Sequence, residues 1–256
     1  MQAALLLNFV PTFVLVFFRL AGMMLFAPLF GSSRIPRRVR AMLVLVLALG
    51  VAPTVPRATL PTATWELAMA IGGEMAFGLA MGMALSLVFV AAQWAGEMIG
   101  QQMGLNLSEV FDPQFGSSGS VLGEMYFMLT LVVFLLVRGH HAMLAGVRDS
   151  FTALPLMSVG VDRTVFDTTI GLLGGATVLA IRLAAPMLVT MLIVDLVLGL
   201  IGRTMPQMNV MSAGLTLRAV VGLVVVTLGI ALTASVLNNA VTHAMEQARA
   251  GWAGRP

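Results

Sequence analysis

Apolar residues fill six long blocks, at about residues 3–30, 41–56, 67–107, 121–147, 168–202 and 210–245, with short polar stretches between them. A helix that crosses a bilayer needs about 20 consecutive apolar residues. The runs Met75 to Gly96 and Ala219 to Met245 contain no Asp, Glu or Arg and meet that length. Most other blocks carry lone charges partway along: Arg19, Arg182, Asp195 and Arg218. A charge at mid-bilayer is costly and normally faces protein or a cavity. Two placements follow. The helices meet protein along one face, in an internally polar bundle or a larger assembly. Alternatively, the charges sit near helix ends, where Arg19 and Arg218 can snorkel to water. Asp195 is too short to snorkel far. The pattern predicts an all-α chain of long apolar helices and helical hairpins, a membrane-complex helical protein read as a single helical unit over residues 1–256.

The 67–107 block would measure about 60 Å as one continuous helix, beyond the thickness of one bilayer. It must bend, break near Gly72-Gly73, or extend past the membrane. In its second half Gly96, Gly100 and Gly104 recur every four residues, with Gln93, Glu97 and Gln101 beside them. A glycine ridge of this spacing lets a second backbone approach closely, and a polar ridge next to it needs partners in that approach. Gly78 with Gly82 and Gly171 with Gly175 form two further small-residue pairs. Such ridges serve packing within the chain or tight packing between subunits.

Two connections stand out. The stretch 106–120 contains Phe111, Asp112, Pro113, Gln114, Phe115, Gly116, Ser117, Ser118 and Gly119. Pro113 disfavours helix at Asp112, and the Gly-Ser run predicts an irregular segment. Ser120 is placed to cap the next helix, with Glu124 in its first turn. Two phenylalanines in a polar loop between long apolar helices are more than a connector needs. The second connection, with Arg203, Pro206, Gln207 and Asn209, separates the last two apolar blocks and predicts a helical hairpin.

Composition narrows the function. Of 256 residues, 59% are hydrophobic and only 10% charged, against roughly a quarter charged in soluble domains. Mean hydropathy is +0.99. A soluble enzyme of this size could not hide so much apolar surface. All 14 basic residues are arginines and the formal net charge is +3. The one basic cluster, Arg34, Arg37, Arg38 and Arg40, reads as a cytoplasmic loop. It lacks the aromatic and basic neighbours of a nucleic-acid surface, so no nucleic-acid partner is expected. Residues 108–119 hold Glu109 and Asp112 and no base, and later turns hold Arg138, Arg148, Arg163 and Arg203, so charge bias yields no clean alternation after the first loop. Met1 to Phe18 has no basic region before it and reads as a retained first helix rather than a cleaved signal. The 20 methionines read as leucine substitutes that fill irregular gaps.

Recognisable active-site chemistry is missing. With no lysine or cysteine, a phosphate loop and thiolate sites are excluded. His140 and His141 are expected in a polar turn beside Arg138-Gly139, and no third ligand lies at metal-like spacing. Gly116-Ser117-Ser118-Gly119 matches the Gly-x-Ser-Gly pattern of rhomboid-type intramembrane proteases. Those enzymes need a histidine from another apolar helix, and His243 lies near the polar tail. The expectation is no catalytic residue, no metal and no cofactor.

The order and spacing of several segments resemble the FliR family, an export-gate component of the flagellar type III secretion apparatus with injectisome relatives. The segments are Phe18-Arg19, Ala27-Pro28-Leu29-Phe30-Gly31, Ile35-Pro36-Arg37-Arg38-Val39-Arg40, Ala95-Gly96-Glu97-Met98-Ile99, Met103-Gly104-Leu105, Asp112-Pro113, Gly139-His140-His141, Asp149-Ser150-Phe151 before Pro155, and Gly202 to Val210. The resemblance implies a FliP-like part over 1–165 followed by a FliQ-like helical hairpin over 166–256. It implies FliP-like and FliQ-like partner subunits, FlhB-like and FlhA-like export components, and unfolded proteins as cargo. It implies a multi-pass protein of the bacterial inner membrane, in the flagellar basal body. It also implies that the loop at about 106–120 plugs the closed pore. The Phe-Asp-Pro-Gln-Phe-Gly and Met-Pro-Gln-Met-Asn-Val stretches look flagellar. The alternatives are an injectisome export-gate subunit and a multipass small-solute transporter, which would show an inverted repeat with paired broken helices.

Overall fold

The computed structural model describes residues 2–28, 30–31, 35–58, 64–105, 120–157, 163–205 and 210–252. Among these, the chain forms seven α-helices, one short 3₁₀ turn (Ala52–Thr54) and no strand. The helices are α1 (Gln2–Phe26), α2 (Arg37–Val51), α3 (Thr64–Gln102), α4 (Val121–Leu136), α5 (Gly139–Ala153), α6 (Arg163–Thr204) and α7 (Val210–Trp252). Four stretches are long and apolar enough to cross a membrane: Phe9–Phe26, Thr64–Gln102, Ile170–Thr204 and Ala213–Ala244. Helices α4 and α5, bent by 67° at their junction, would add a fifth if they act as one broken span.

Helix α3 stays helical through Gly72-Gly73, so of the three alternatives the break there does not occur. The 121–147 block, in contrast, is interrupted at Val137-Arg138. Arg138 adopts a left-handed conformation (φ 57°) there and precedes α5. His140 and His141 therefore lie in the first turn of α5 rather than in a turn, because that turn closes one residue before Gly139.

The helices gather into two compact units, each drawn from separate stretches: residues 1–87, 134–174 and 241–256, and residues 88–133 and 175–240. In the first, Val16, Leu20, Met23 and Met24 of α1 pack with Val44 and Ala48 of α2, Phe77 and Met81 of α3, and Val147 and Phe151 of α5. In the second, Ala92, Ala95 and Ile99 of α3 pack with Leu122 and Tyr126 of α4, Ala184, Met187 and Met191 of α6, and Leu237 of α7.

Glycines set how closely α1 and α3 approach. A Cβ at Gly78 would collide with the Arg19 carbonyl, and one at Gly82 with the Met23 carbonyl. From the other side, a Cβ at Gly22 would collide with the Met75 carbonyl. These positions follow the small-residue spacing that brings two helix backbones together. The Gly78–Gly82 pair thus packs inside the chain. Gly171 and Gly175 have no atom within 4 Å of a built Cβ.

At this crossing Arg19 is fully buried, and so is Glu74 of α3. The Arg19 Nε donates to Glu74 Oε2. Its Nη1 donates to Ser150 Oγ of α5 at 3.1 Å, and both Nη groups donate to the Leu154 carbonyl at 3.3 and 3.2 Å. The second Glu74 oxygen accepts the Met157 N–H at 3.1 Å. Arg19 Cζ lies 4.8 Å from the Phe77 ring centre and 4.3 Å from that of Phe151. The guanidinium is thus paired, hydrogen-bonded and stacked, which a buried charge requires. It does not snorkel to a helix end.

Removing one member of a buried pair strands the other. Glu74→Ala is expected to lower the stability of the membrane-embedded chain by about 3–5 kcal/mol. The double variant Arg19→Met/Glu74→Leu should recover much of that loss, since it leaves no buried charge. Thermal unfolding of the three variants measures this. A single variant that melts with the wild type would show that the pair does not clamp these helices.

Candidate functional site

The sequence points to the loop after α3. Its residues Phe111, Asp112, Pro113, Gln114, Phe115, Gly116, Ser117, Ser118 and Gly119 lie outside the described residues. The two helix ends that carry it are described, and both belong to the second unit.

Helix α3 ends in a tight cap. The Leu105 N–H donates to the Gly100 carbonyl and the Gly104 N–H to the Gln101 carbonyl, both at 3.0 Å. Gly104 has φ 74°, the left-handed conformation that this paired cap needs and that glycine adopts at no steric cost. Gly104 therefore terminates the helix, one turn past Gly100, rather than continuing a ridge along it. Across the loop, the Ser120 side chain accepts the Gly123 N–H at 3.4 Å, and its carbonyl accepts the Glu124 N–H at 2.9 Å. Ser120 is buried and caps α4 as its position suggested.

Between these ends α3 and α4 touch backbone to backbone. A Cβ at Gly96 would collide with the Leu122 carbonyl and lie 2.8 Å from the Gly123 Cα. Beside this contact the Gln93 Nε2 donates to Glu97 Oε1 at 3.1 Å. A Cβ on Gly123 would meet the Glu97 Cγ at 3.1 Å and the Gln93 carbonyl at 3.3 Å. Gly96, Gln93 and Glu97 thus come together against α4. Gly100 is buried, whereas Gln101 is exposed. The contact fixes the start of α4 against α3 about two turns before the α3 cap. Among the described residues it brings no nucleophile and base together.

In the same unit the lone charges Asp195 and Arg218 meet, with Arg218 Nη2 2.7 Å from Asp195 Oδ1. About two-fifths of each side chain stays exposed, 41% for Asp195 and 38% for Arg218. The approach is off-line, and Asp195 Oδ1 and Arg218 Nε have no hydrogen-bond partner among the described residues. Arg203 is exposed at the end of α6; Pro206, Gln207 and Asn209 of the predicted hairpin turn lie outside the described residues. Sequence reasoning passed over Glu74. The signal was available: it is the acid that follows Gly72-Gly73 inside the longest apolar block, and Arg19 is a lone base in another.

This close contact makes a direct prediction. Gly96→Ala forces α4 to move and is expected to cost about 1–3 kcal/mol, the usual size of overpacking. Gly72→Ala, on the same helix with no atom near its Cβ, should be neutral or stabilising by about 0.5–1 kcal/mol. Paired melting curves in native membranes decide it, and equal melting of the two variants would contradict the close approach.

Comparison with known proteins gives this architecture a family. The chain matches the family described as bacterial export proteins, family 1, over residues 10–244. It is 30% identical over 227 residues to the flagellar biosynthetic protein FliR of Pectobacterium carotovorum subsp. carotovorum, covering 89% of this chain and 86% of that one. It is 26% identical over 248 residues to FliR of Bacillus subtilis, covering 95% of each. Identity to the surface presentation of antigens protein SpaR of Shigella flexneri is 29% over 213 residues, covering 82% of each. On a match that takes in all but the first and last few residues, the chain belongs to the bacterial export proteins, family 1.

Proposed function

We propose that this chain is a structural subunit of the flagellar type III protein-export gate, and that it helps form and plug the channel through which unfolded flagellar proteins leave the cell. Near full-length similarity to flagellar FliR proteins carries this reading. Its apolar surface supports it. Only 22% of the α6 span and 17% of the α7 span are buried, against 67% of the α3 span. Lipid or other membrane subunits must cover the remainder.

The chain is assigned to the inner membrane as a multi-pass protein, in the flagellar basal body. Its partners are FliP-like and FliQ-like gate subunits, FlhB-like and FlhA-like export components, and the unfolded proteins in transit. Residues 1–165 act as the FliP-like part and 166–256 as the FliQ-like hairpin, turning at Arg203, Pro206, Gln207 and Asn209. The chain needs no active site or cofactor for this role; its work is to shape and seal a passage. The SpaR similarity favours an injectisome gate as the second reading. Restored motility in a strain lacking its FliR-type subunit supports the flagellar role; restored effector secretion alone, without motility, supports the injectisome.

The plug is the loop from Phe111 to Gly119. By sequence, Phe111 and Phe115 supply the apolar bulk to fill a narrow opening. Gly96, with Gln93 and Glu97, holds α3 against α4, Gly104 ends α3 where the loop begins, and the exposed Gln101, one residue past the buried Gly100, is left for a neighbouring subunit. Expressed alone, the chain should aggregate or be degraded, with rescue by FliP-like and FliQ-like partners; a monodisperse monomer in mild detergent would count against the assembly.

Deleting Gln114 to Gly119 should leave the complex assembled but leaky to ions and small molecules. Membrane conductance, alongside recovery of the complex, reads this out. An assembled complex that stays sealed would refute the plug. Failed assembly would instead make the loop a spacer that sets the angle between α3 and α4.

A further inference from the structure

Helix α2 leaves one face without a partner. Val44 and Ala48 turn inward against α1. On the opposite side Arg38, Met42, Leu45 and Leu49 recur at helical spacing and are exposed, with Val46 beside them. The chain carries no charge from Ala41 to Pro56. Arg37 and Arg38 stand before this stretch and Arg57 after it. All three are exposed, and none forms an ion pair among the described residues. Arg40, by contrast, is engaged within the chain.

Helix α1 gives this face its depth. Helix α2 and the 3₁₀ turn after it run back along α1, since the Ala58 N–H just past that turn donates to Thr12 Oγ1 at 3.0 Å. The start of α2 therefore lies beside the end of the apolar α1 stretch Phe9–Phe26, and Arg57 lies toward its beginning. Residues 37–54 rise about 28 Å, close to a bilayer core of about 30 Å. The two arginine-bearing ends thus fall at the two surfaces of one apolar layer, where membrane proteins place arginine. From Arg38 to Leu49 the face is about 16 Å long. That is about half of the core, the depth of one lipid leaflet.

We propose that this face seats one anionic glycerophospholipid of the surrounding bilayer, with its phosphate on Arg37 and Arg38 and an acyl chain along Met42, Leu45 and Leu49. Charge complementarity sets the head. Two unpaired guanidiniums at one end attract an anion, and arginine holds phosphate through paired N–H donors. Helix side chains lean toward the N-terminus, so Arg38, the second residue of α2, reaches past the helix start rather than over the apolar face. The rest of the face sets the tail. Met42, Leu45, Val46 and Leu49 are bulky and aliphatic, with no acid or amide among them. Contacts between membrane helices favour small residues and polar partners instead. The proposal needs only that the chain is embedded in a bilayer, not that it serves a gate.

The test uses the full chain, with whatever subunits co-purify with it, reconstituted in nanodiscs. The chain has no cysteine, so Leu45→Cys gives it a single thiol for a bimane fluorophore, with the cysteine-free chain as the labelling blank. Phosphatidylglycerol or phosphatidylcholine with brominated tails is then supplied at equal mole fraction. Brominated phosphatidylglycerol should quench the label about threefold more strongly than brominated phosphatidylcholine. Arg37→Gln/Arg38→Gln should abolish that preference, and Arg37→Lys/Arg38→Lys should keep most of it. Raising salt from about 0.05 to about 0.5 M should shrink the preference while both arginines are in place, which tests the same point if the Gln variant fails to insert. Absence of quenching by either lipid would overturn the proposal, because a neighbouring subunit then covers the face. Equal quenching by both would overturn it too, because the face then meets bulk lipid only. So would a preference that survives the Gln substitutions or, where that variant does not insert, high salt.

Discussion

A guanidinium without access to water must find a carboxylate, and in the first unit that requirement organises everything around it. Arg19 is buried from every side, and its donors reach Glu74 on α3, Ser150 on α5 and the Leu154 carbonyl beyond α5. Three elements far apart in the chain therefore converge on one charge. Apolar packing alone would not specify that register, since one leucine-rich helix face is much like another. The pair does specify it, because sliding α1 by one turn along α3 would strand a buried ion.

Such pairing is possible because glycine removes the side chains that would keep the backbones apart. Gly22, Gly78 and Gly82 let α1 and α3 touch main chain to main chain next to the ion pair. Gly96 does the same for α3 and α4 in the second unit. Where lipid is as apolar as leucine, close packing and polar contacts hold helices together rather than the exclusion of water. Methionines complete the fit: Met103 and Met187 converge on Gly222, where their flexible ends can yield.

The two longest helices, α6 and α7, whose middle stretches belong to the second unit, follow another logic. Val189, Leu192, Leu196 and Leu200 of α6 and Val220, Leu223 and Leu228 of α7 remain exposed. At about 63 Å each, α6 and α7 outrun a bilayer core of about 30 Å. A lone multipass protein has little use for such length. A subunit of a larger passage does, because its helices can run past the bilayer against neighbours. The half-exposed Asp195–Arg218 pair and the exposed Arg182, without a partner among the described residues, fit the same surface.

Much of this was legible in the sequence, for identifiable reasons. Block length and the scarcity of charge determine long apolar helices, because a buried or membrane-embedded backbone has few other ways to satisfy its polar groups. Ser120 as a cap follows from residue type and position. The order of short segments was enough to indicate the family. Partnership was not legible. Nothing local says that Arg19 meets Glu74 or that Asp195 meets Arg218, since each pair is joined only by tertiary packing. The same holds for the glycines. Identical spacing placed Gly96 in a backbone contact, Gly104 in a left-handed cap, and Gly171 and Gly175 against open space. Periodicity determines which face a residue shares, but only the approach of a second helix decides whether that face is a contact, a terminus or a surface.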